Sequence, residues 1–306
     1  MSEIIIGIHG MGNKPPPKTL SRWWQAAIRE GLKRIKKADL AFAFELVYWA
    51  HYLHPVPLKP RMKDKDHPLF IEDPYLRALP DAVAEKPGRL RQKFADYVSA
   101  QLDNIFLNED LSINYESIVD FIIHHFFRDL EKYYHDFCVL PSKKSCLAKE
   151  LICSELKKVL RKHRRKKILL ISHSMGSIIA YDALTQGAAD VPIDTFVTIG
   201  SPLGLPIIKS RLFAERKQKS FSKGPLKTPE NISAHWYNLA DMRDKIAINY
   251  MLQDDFAENA AHIRPVDKLV ANDYVFDDQE NPHKSYGYLR TLEMAEIITD
   301  FLNDSA

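Results

Sequence analysis

Short, wholly apolar runs that alternate with helical stripes narrow what this chain can fold into more than any other feature of its sequence. Ile4 to Ile8 is one such run, ending at Gly10 and Gly12. Ile168 to Ile171 is a second, and Asp194 to Ile199 and His235 to Leu239 read as two further strands. Ala41 to Trp49 is β-prone, and residues 262–271 read as an edge strand. A strand apolar on both sides must be covered on both faces, which is the situation in a parallel sheet. Between the runs, Leu20, Trp23, Trp24, Ala27, Ile28, Leu32 and Ile35 recur at helical spacing, so a helix is expected over about residues 19–37, after a Pro15-Pro16-Pro17 loop. Ser177 to Leu184 also reads as helix, and Tyr288 to Leu302 as a closing one, while residues 207–230 read as charged and loop-rich. The pattern implies an α/β fold: a mostly parallel central sheet with helices on both faces.

Residues 50–145 interrupt it. Pro55, Pro57, Pro60 and Pro68 make the first part irregular. Two helical stripes follow, Leu90 to Phe106 and Tyr115 to Tyr133. The alternation then resumes, so the 306 residues read as one domain carrying a helical insertion that is expected to form a cap. With 45% hydrophobic and 27% charged residues the composition is globular, and 43 Lys+Arg against 40 Asp+Glu leaves no global field to attract nucleic acid. No apolar run approaches the roughly 18 residues of a membrane span. Met-Ser-Glu leading directly into Ile4 does not read as a signal peptide. Cys138, Cys146 and Cys153 make neither a disulfide framework nor a metal pattern, and a reduced, cytoplasmic setting is the expectation.

The chemistry concentrates where Ile168-Leu169-Leu170-Ile171 runs straight into Ser172-His173-Ser174-Met175-Gly176, with a helix starting at once. A turn this tight requires small residues two places either side of its centre, and it holds Ser174 in a strained conformation that exposes its hydroxyl. The bland alternative is a βα turn whose serine caps the helix. The segment resembles the nucleophile elbow of the α/β-hydrolase family, with Ser172 in the place of the first glycine. Gly7-Ile8-His9-Gly10-Met11-Gly12 resembles that family's His-Gly loop after an early strand, and Ile199-Gly200-Ser201-Pro202-Leu203-Gly204 resembles its lipase-like branch, with Ser201 read as part of a turn bordering the site. A dinucleotide turn is the competing reading of residues 7–12. It lacks Gly-x-Gly-x-x-Gly and meets three prolines where a phosphate-binding helix would open.

The resemblance, which covers residues 1–49 and 165–306, implies a serine hydrolase, esterase- or lipase-like, that cleaves a small-molecule or lipid-like acyl ester. It implies Ser174 as nucleophile, Asp244 as orienting acid with Asp241 as the alternative, and His283 as base, chosen over His262 because it precedes the last helix. The backbone N–H groups of Met11 and Met175 would form the oxyanion hole. Neither cofactor nor metal is expected. Acyl transfer, thioester cleavage, and a binding or scaffold role on the same fold remain open alternatives. Eight Lys/Arg residues between Lys157 and Lys167 could bind anionic lipid or nucleic acid; lacking interleaved aromatics, they read as a solvated helix end at the edge of the sheet opposite the site. His51-x-x-His54 lacks a third ligand, and His124 and His125 point about 100° apart on a helix, so neither reads as a metal site.

Overall fold

The structure is a computed structural model, and it describes residues 2–78, 128–135, 147–188, 190–219, 225–247 and 249–303. Ten strands are present among them: β1 (Glu3–Ile8), β2 (Phe44–Val47), β3 (Lys167–His173), β4 (Ile193–Ile199), β5 (Leu226–Lys227), β6 (Ile232–Ala240), β7 (Phe256–Ala257), β8 (Pro265–Leu269), β9 (Val275–Phe276) and β10 (Gln279–Glu280). The helices are α1 (Pro17–Arg34), α2 (Arg128–His135), α3 (Ala148–Lys162), α4 (Met175–Thr185), α5 (Pro206–Lys219), α6 (Leu252–Asp255), α7 (Ser285–Leu289) and α8 (Leu292–Asn303).

Six strands form one sheet in the order β2-β1-β3-β4-β6-β8, and each of its ladders is parallel. The apolar runs are apolar throughout because successive residues feed two cores. Ile4, Ile6 and Ile8 of β1, with Ile168 and Leu170 of β3, pack beneath α3 and α4. Ile5, Leu169 and Ile171 face the other way, onto α1 and α8. The chain therefore has the expected α/β layering, and residues 265–269 occupy the sheet edge.

Several elements differ from the sequence reading. Pro17 belongs to α1, at a first-turn position where its missing N–H costs nothing. Residues 206–219 are a helix: Ile208 and Leu212, four apart, are buried, while Ile207 and Phe213 are exposed. The closing helix is two, because Thr291 accepts from the Met294 N–H (3.3 Å) and starts α8 as an N-cap. Helix α4 begins at Met175, directly after the nucleophile candidate. His262 lies outside any strand, in an exposed turn with φ 59°. The basic run ends α3 at the N-terminal edge of the sheet; Lys162 pairs with Glu45 (2.7 Å) and Arg161 with Asp190 (3.7 Å).

The stripe at residues 90–106, most of that at 115–133, His124, His125, Cys138 and Cys146 lie outside the described residues, and so does the cap they were expected to build. Helix α2, the last part of the second stripe, packs on α3, and Tyr133 there donates to Asp182 of α4 (3.0 Å). Cys153 is a buried free thiol 3.1 Å from the Tyr133 hydroxyl.

Candidate active site

The strand order creates a crevice. After β1 the chain moves outward to β2, whereas β3, on the other side of β1, continues towards β8. The connections therefore diverge above the C-terminal ends of β1 and β3, the place where open α/β sheets bind ligands. His9 to Gly12 leaves β1 there, and Ser174 leaves β3.

Ser174 sits at φ 54° and ψ −128°, a conformation that costs a non-glycine residue on the order of 1–3 kcal/mol. The turn is held by its neighbours: Ser174 N–H donates to the Ile199 carbonyl (3.1 Å), and Ser172 Oγ to that of Val197 (3.3 Å). Serine thus fits the place read against glycine. At the other end of the motif a Cβ on Gly176 would lie 2.7 Å from the Ile8 carbonyl oxygen, so only glycine lets α4 start this close to β1.

From that turn the Ser174 hydroxyl donates to His283 Nε2 (2.9 Å). His283 Nδ1 lies 3.0 and 2.9 Å from the two carboxylate oxygens of Asp244. A carboxylate only accepts, so the proton is on Nδ1 and Nε2 is left as acceptor. Asp244 is 1% exposed, and its remaining lone pairs are filled by the Ile246 N–H (2.9 Å) and the Tyr288 hydroxyl (2.8 Å). Burial and the adjacent Asp244 carboxylate hold the Tyr288 phenol far above its usual range, so it remains a donor.

Asp241, the alternative acid, is engaged elsewhere. It pairs with Arg243 (2.7 Å) and accepts from the Asn272 N–H (2.7 Å). Through Asn272 it reaches the base indirectly: the Asn272 amide donates to the carbonyls of Pro282 and Lys284 (2.8 Å each), one residue either side of His283. His173 Nε2 donates to the His283 carbonyl itself (2.7 Å), and Asp73 holds Asn281 (3.0 Å) and Lys284 (3.3 Å).

Met11 and Ser174 line one cavity of about 390 Å³. The carbonyls of Met11 and Gly12 both accept from Lys14 Nζ, the second at 3.1 Å, which fixes the loop's orientation. His9 anchors its start: Nδ1–H donates to the Gly10 carbonyl (2.7 Å), Nε2 accepts from the Trp49 N–H (3.1 Å), and the two rings stack. Met175 opens α4, so its N–H has no intrahelical acceptor and lies at the positive end of the helix dipole.

Sequence reasoning missed Tyr288, Asn272, Asp73 and the proximity of Gly200. Gly200 has φ 53°, and a Cβ there would fall 2.9 Å from Asp244 Oδ2. Its place in a Gly-Ser-Pro-Leu-Gly turn was the one available signal; nothing in the spacing marks the other three. Among the described residues no group of three or more His, Cys, Asp or Glu is arranged to hold a metal ion, and no helix is long and apolar enough to cross a membrane. No protein-family model matches the chain, and no curated protein matches it in sequence.

Proposed function

We propose that this protein is a serine hydrolase that cleaves an acyl ester through an acyl-enzyme. The observation that carries the reading is the hydrogen-bonded order Ser174 Oγ, His283 Nε2, His283 Nδ1, Asp244, built on a serine with positive φ at a strand-to-helix turn. A serine that merely capped α4 would bond the helix N-terminus, and Ser174 makes no such side-chain bond.

In this mechanism Ser174 Oγ attacks the ester carbonyl while its proton passes to His283 Nε2. Asp244 stabilises the imidazolium that forms and keeps the ring oriented. The N–H groups of Met11 and Met175 receive the oxyanion; one such donor is worth on the order of a hundred- to a thousand-fold in rate. When the C–O bond to the alcohol breaks, Nε2 returns the proton to the leaving oxygen. Water then attacks the acyl-Ser174 ester with His283 again as base, releasing the acid and restoring the hydroxyl.

A fluorophosphonate probe tests this directly. Ser174 is expected to be labelled covalently in the wild type, with no labelling in Ser174→Ala. Ester turnover should fall on the order of a million-fold in that variant, the loss seen when a serine nucleophile acting in a triad is removed. Labelling at another residue, or a Ser174→Ala protein that keeps a few per cent of its activity, sinks the assignment.

A further inference from the structure

The positive charge of this chain is gathered at one edge of the sheet. Lys33 to Lys37 and Lys157 to Lys167 hold four and eight of the 43 Lys and Arg residues and no acid, while the net charge is only +3, so the rest of the chain is acidic on balance. Because β2 and β3 both run parallel to β1, the connection from α1 into β2 and that from α3 into β3 lie at the N-terminal ends of the strands. The Lys167 N–H donates to the Ser2 carbonyl (3.0 Å), which ties the second connection to the start of β1. The two helices cover opposite faces of the sheet, so their basic ends flank its lower edge from both sides.

Most acids at this edge are already engaged. Glu45 pairs with Lys162 (2.7 Å) and His163 (2.6 Å), Asp190 with Arg161 (3.7 Å), and Asp194 with Lys167 (3.8 Å). Lys33, Lys36, Lys37, Lys158, Arg164 and Arg165 are exposed and have no ion pair or side-chain hydrogen bond among the described residues. Glu3, Asp39 and Asp300 oppose them and leave the edge positive.

This arrangement suits a flat anionic field better than one bound ligand. Both helices present their C-terminal ends, where carbonyls and not N–H groups are left over, so no backbone cradle for a phosphate forms there. The two basic ends sit on opposite sides of the sheet and do not converge on a single small anion. A charged plane acts on both at once, over a Debye length of about 10 Å. Neither stretch contains Phe, Tyr or Trp, so nucleic-acid bases have nothing there to stack on, and no aromatic anchor enters a bilayer.

We propose that this edge docks the protein on an anionic lipid surface by charge, without insertion. The acidic balance of the remainder orients it, turning the C-terminal edge of the sheet, and with it the Ser174 crevice, away from the bilayer and towards water. The docking does not depend on the serine-hydrolase reading.

Co-sedimentation of the purified full-length protein with vesicles tests it. Vesicles of phosphatidylcholine containing phosphatidylserine should bind at least tenfold more protein than phosphatidylcholine alone, and about 1 M salt, where the Debye length is about 3 Å, should abolish the difference. The triple variant Lys33→Glu/Lys36→Glu/Lys37→Glu and the triple variant Lys158→Glu/Arg164→Glu/Arg165→Glu should each lose several-fold in binding. Their thermal unfolding should match the wild type, since the replaced groups are exposed and unpaired. Lys59→Glu/Arg61→Glu/Lys63→Glu makes the same change of charge at exposed positions beside the Ser174 cavity and should bind as the wild type does. Equal binding to both vesicles, no binding to either, or an equal loss in the last variant overturns the proposal. Tighter binding to duplex DNA than to the anionic vesicles at the same salt also overturns it, and assigns the edge to nucleic acid.

Discussion

At the scale of single residues, the two aspartates one and four positions past β6 show how environment separates chemically identical groups. Asp244 spends its carboxylate on the imidazole of His283, on Tyr288 and on its own turn. Asp241 spends its own on Arg243 and the Asn272 N–H. Asp244→Asn presents an amide to Nδ1 and favours the wrong tautomer; in a serine-protease triad this change lowers the rate about ten-thousand-fold. That order of loss in kcat is expected here, with thermal stability nearly kept. Asp241→Asn should do the reverse in kind: a buried network loses a charged acceptor, costing about 1–3 kcal/mol in denaturant unfolding, with a smaller loss of rate through the loosened Asn272. A steep rate loss in Asp241→Asn with an unaffected Asp244→Asn would reverse the roles. Tyr288→Phe removes a donor from Asp244 and also the acceptor of the buried Asp241 N–H (2.9 Å), so both stability and rate should drop in one variant.

At the scale of elements, the turn after β4 is as constrained as the turn after β3. Gly200→Ala places a methyl 2.9 Å from Asp244 Oδ2 and 3.2 Å from His283 Nδ1, at a φ of 53°. The backbone strain costs about 1–2 kcal/mol, but the displaced Asp-His pair should cost tenfold or more in kcat, measured on a protein that still folds; unchanged kcat would mean the pair does not need its place. Strands β1 and β3 were legible because each is apolar on both faces, and the Ser174 turn because strand, small residues and helix coincide in ten positions. Helix α5 was not, since Ile208 and Leu212 are a thin stripe among charges. The break between α7 and α8 was hidden because Arg290 and Thr291 look like helix interior; it takes the Asp273 and Glu30 partners of Arg290 to make a buried arginine there acceptable. The segment from Pro55 to Ala78 read only as irregular. Its Leu58, Phe70 and Asp73 form a wall of the Ser174 cavity, a role fixed by tertiary contacts such as Asn13 to the Val56 carbonyl (2.8 Å) and not by any local pattern.

At the scale of the whole molecule, the crevice between β1 and β3 is closed by two buried histidines, and this links folding to pH. His9 is 1% exposed and His173 9%. Burial pushes both far below the usual imidazole range; Lys14, with His51 and His54, adds to this at His9, while His283, Lys14 and Lys284 do so at His173, and one carbonyl bond to each opposes the shift only partly. Both rings are therefore neutral in the fold. Above the unfolded-chain pKa of about 6.5 they are neutral in the unfolded state as well, and pH has no hold on stability through them. Below it the unfolded chain takes up two protons that the folded one refuses. Stability is then lost as pH falls from about 6.5 towards the folded values, by up to about 2.7 kcal/mol per pH unit for the pair. Urea unfolding between pH 7.5 and 5 should show this slope, before most carboxylates titrate. His173→Gln keeps a donor near the His283 carbonyl and removes one of the two titrations, so its absolute stability drops but its slope should be about half that of the wild type. An unchanged slope in the variant would show that His173 accepts a proton in the folded protein, and the neutral, carbonyl-bound imidazole that fixes the His283 loop would have to be abandoned.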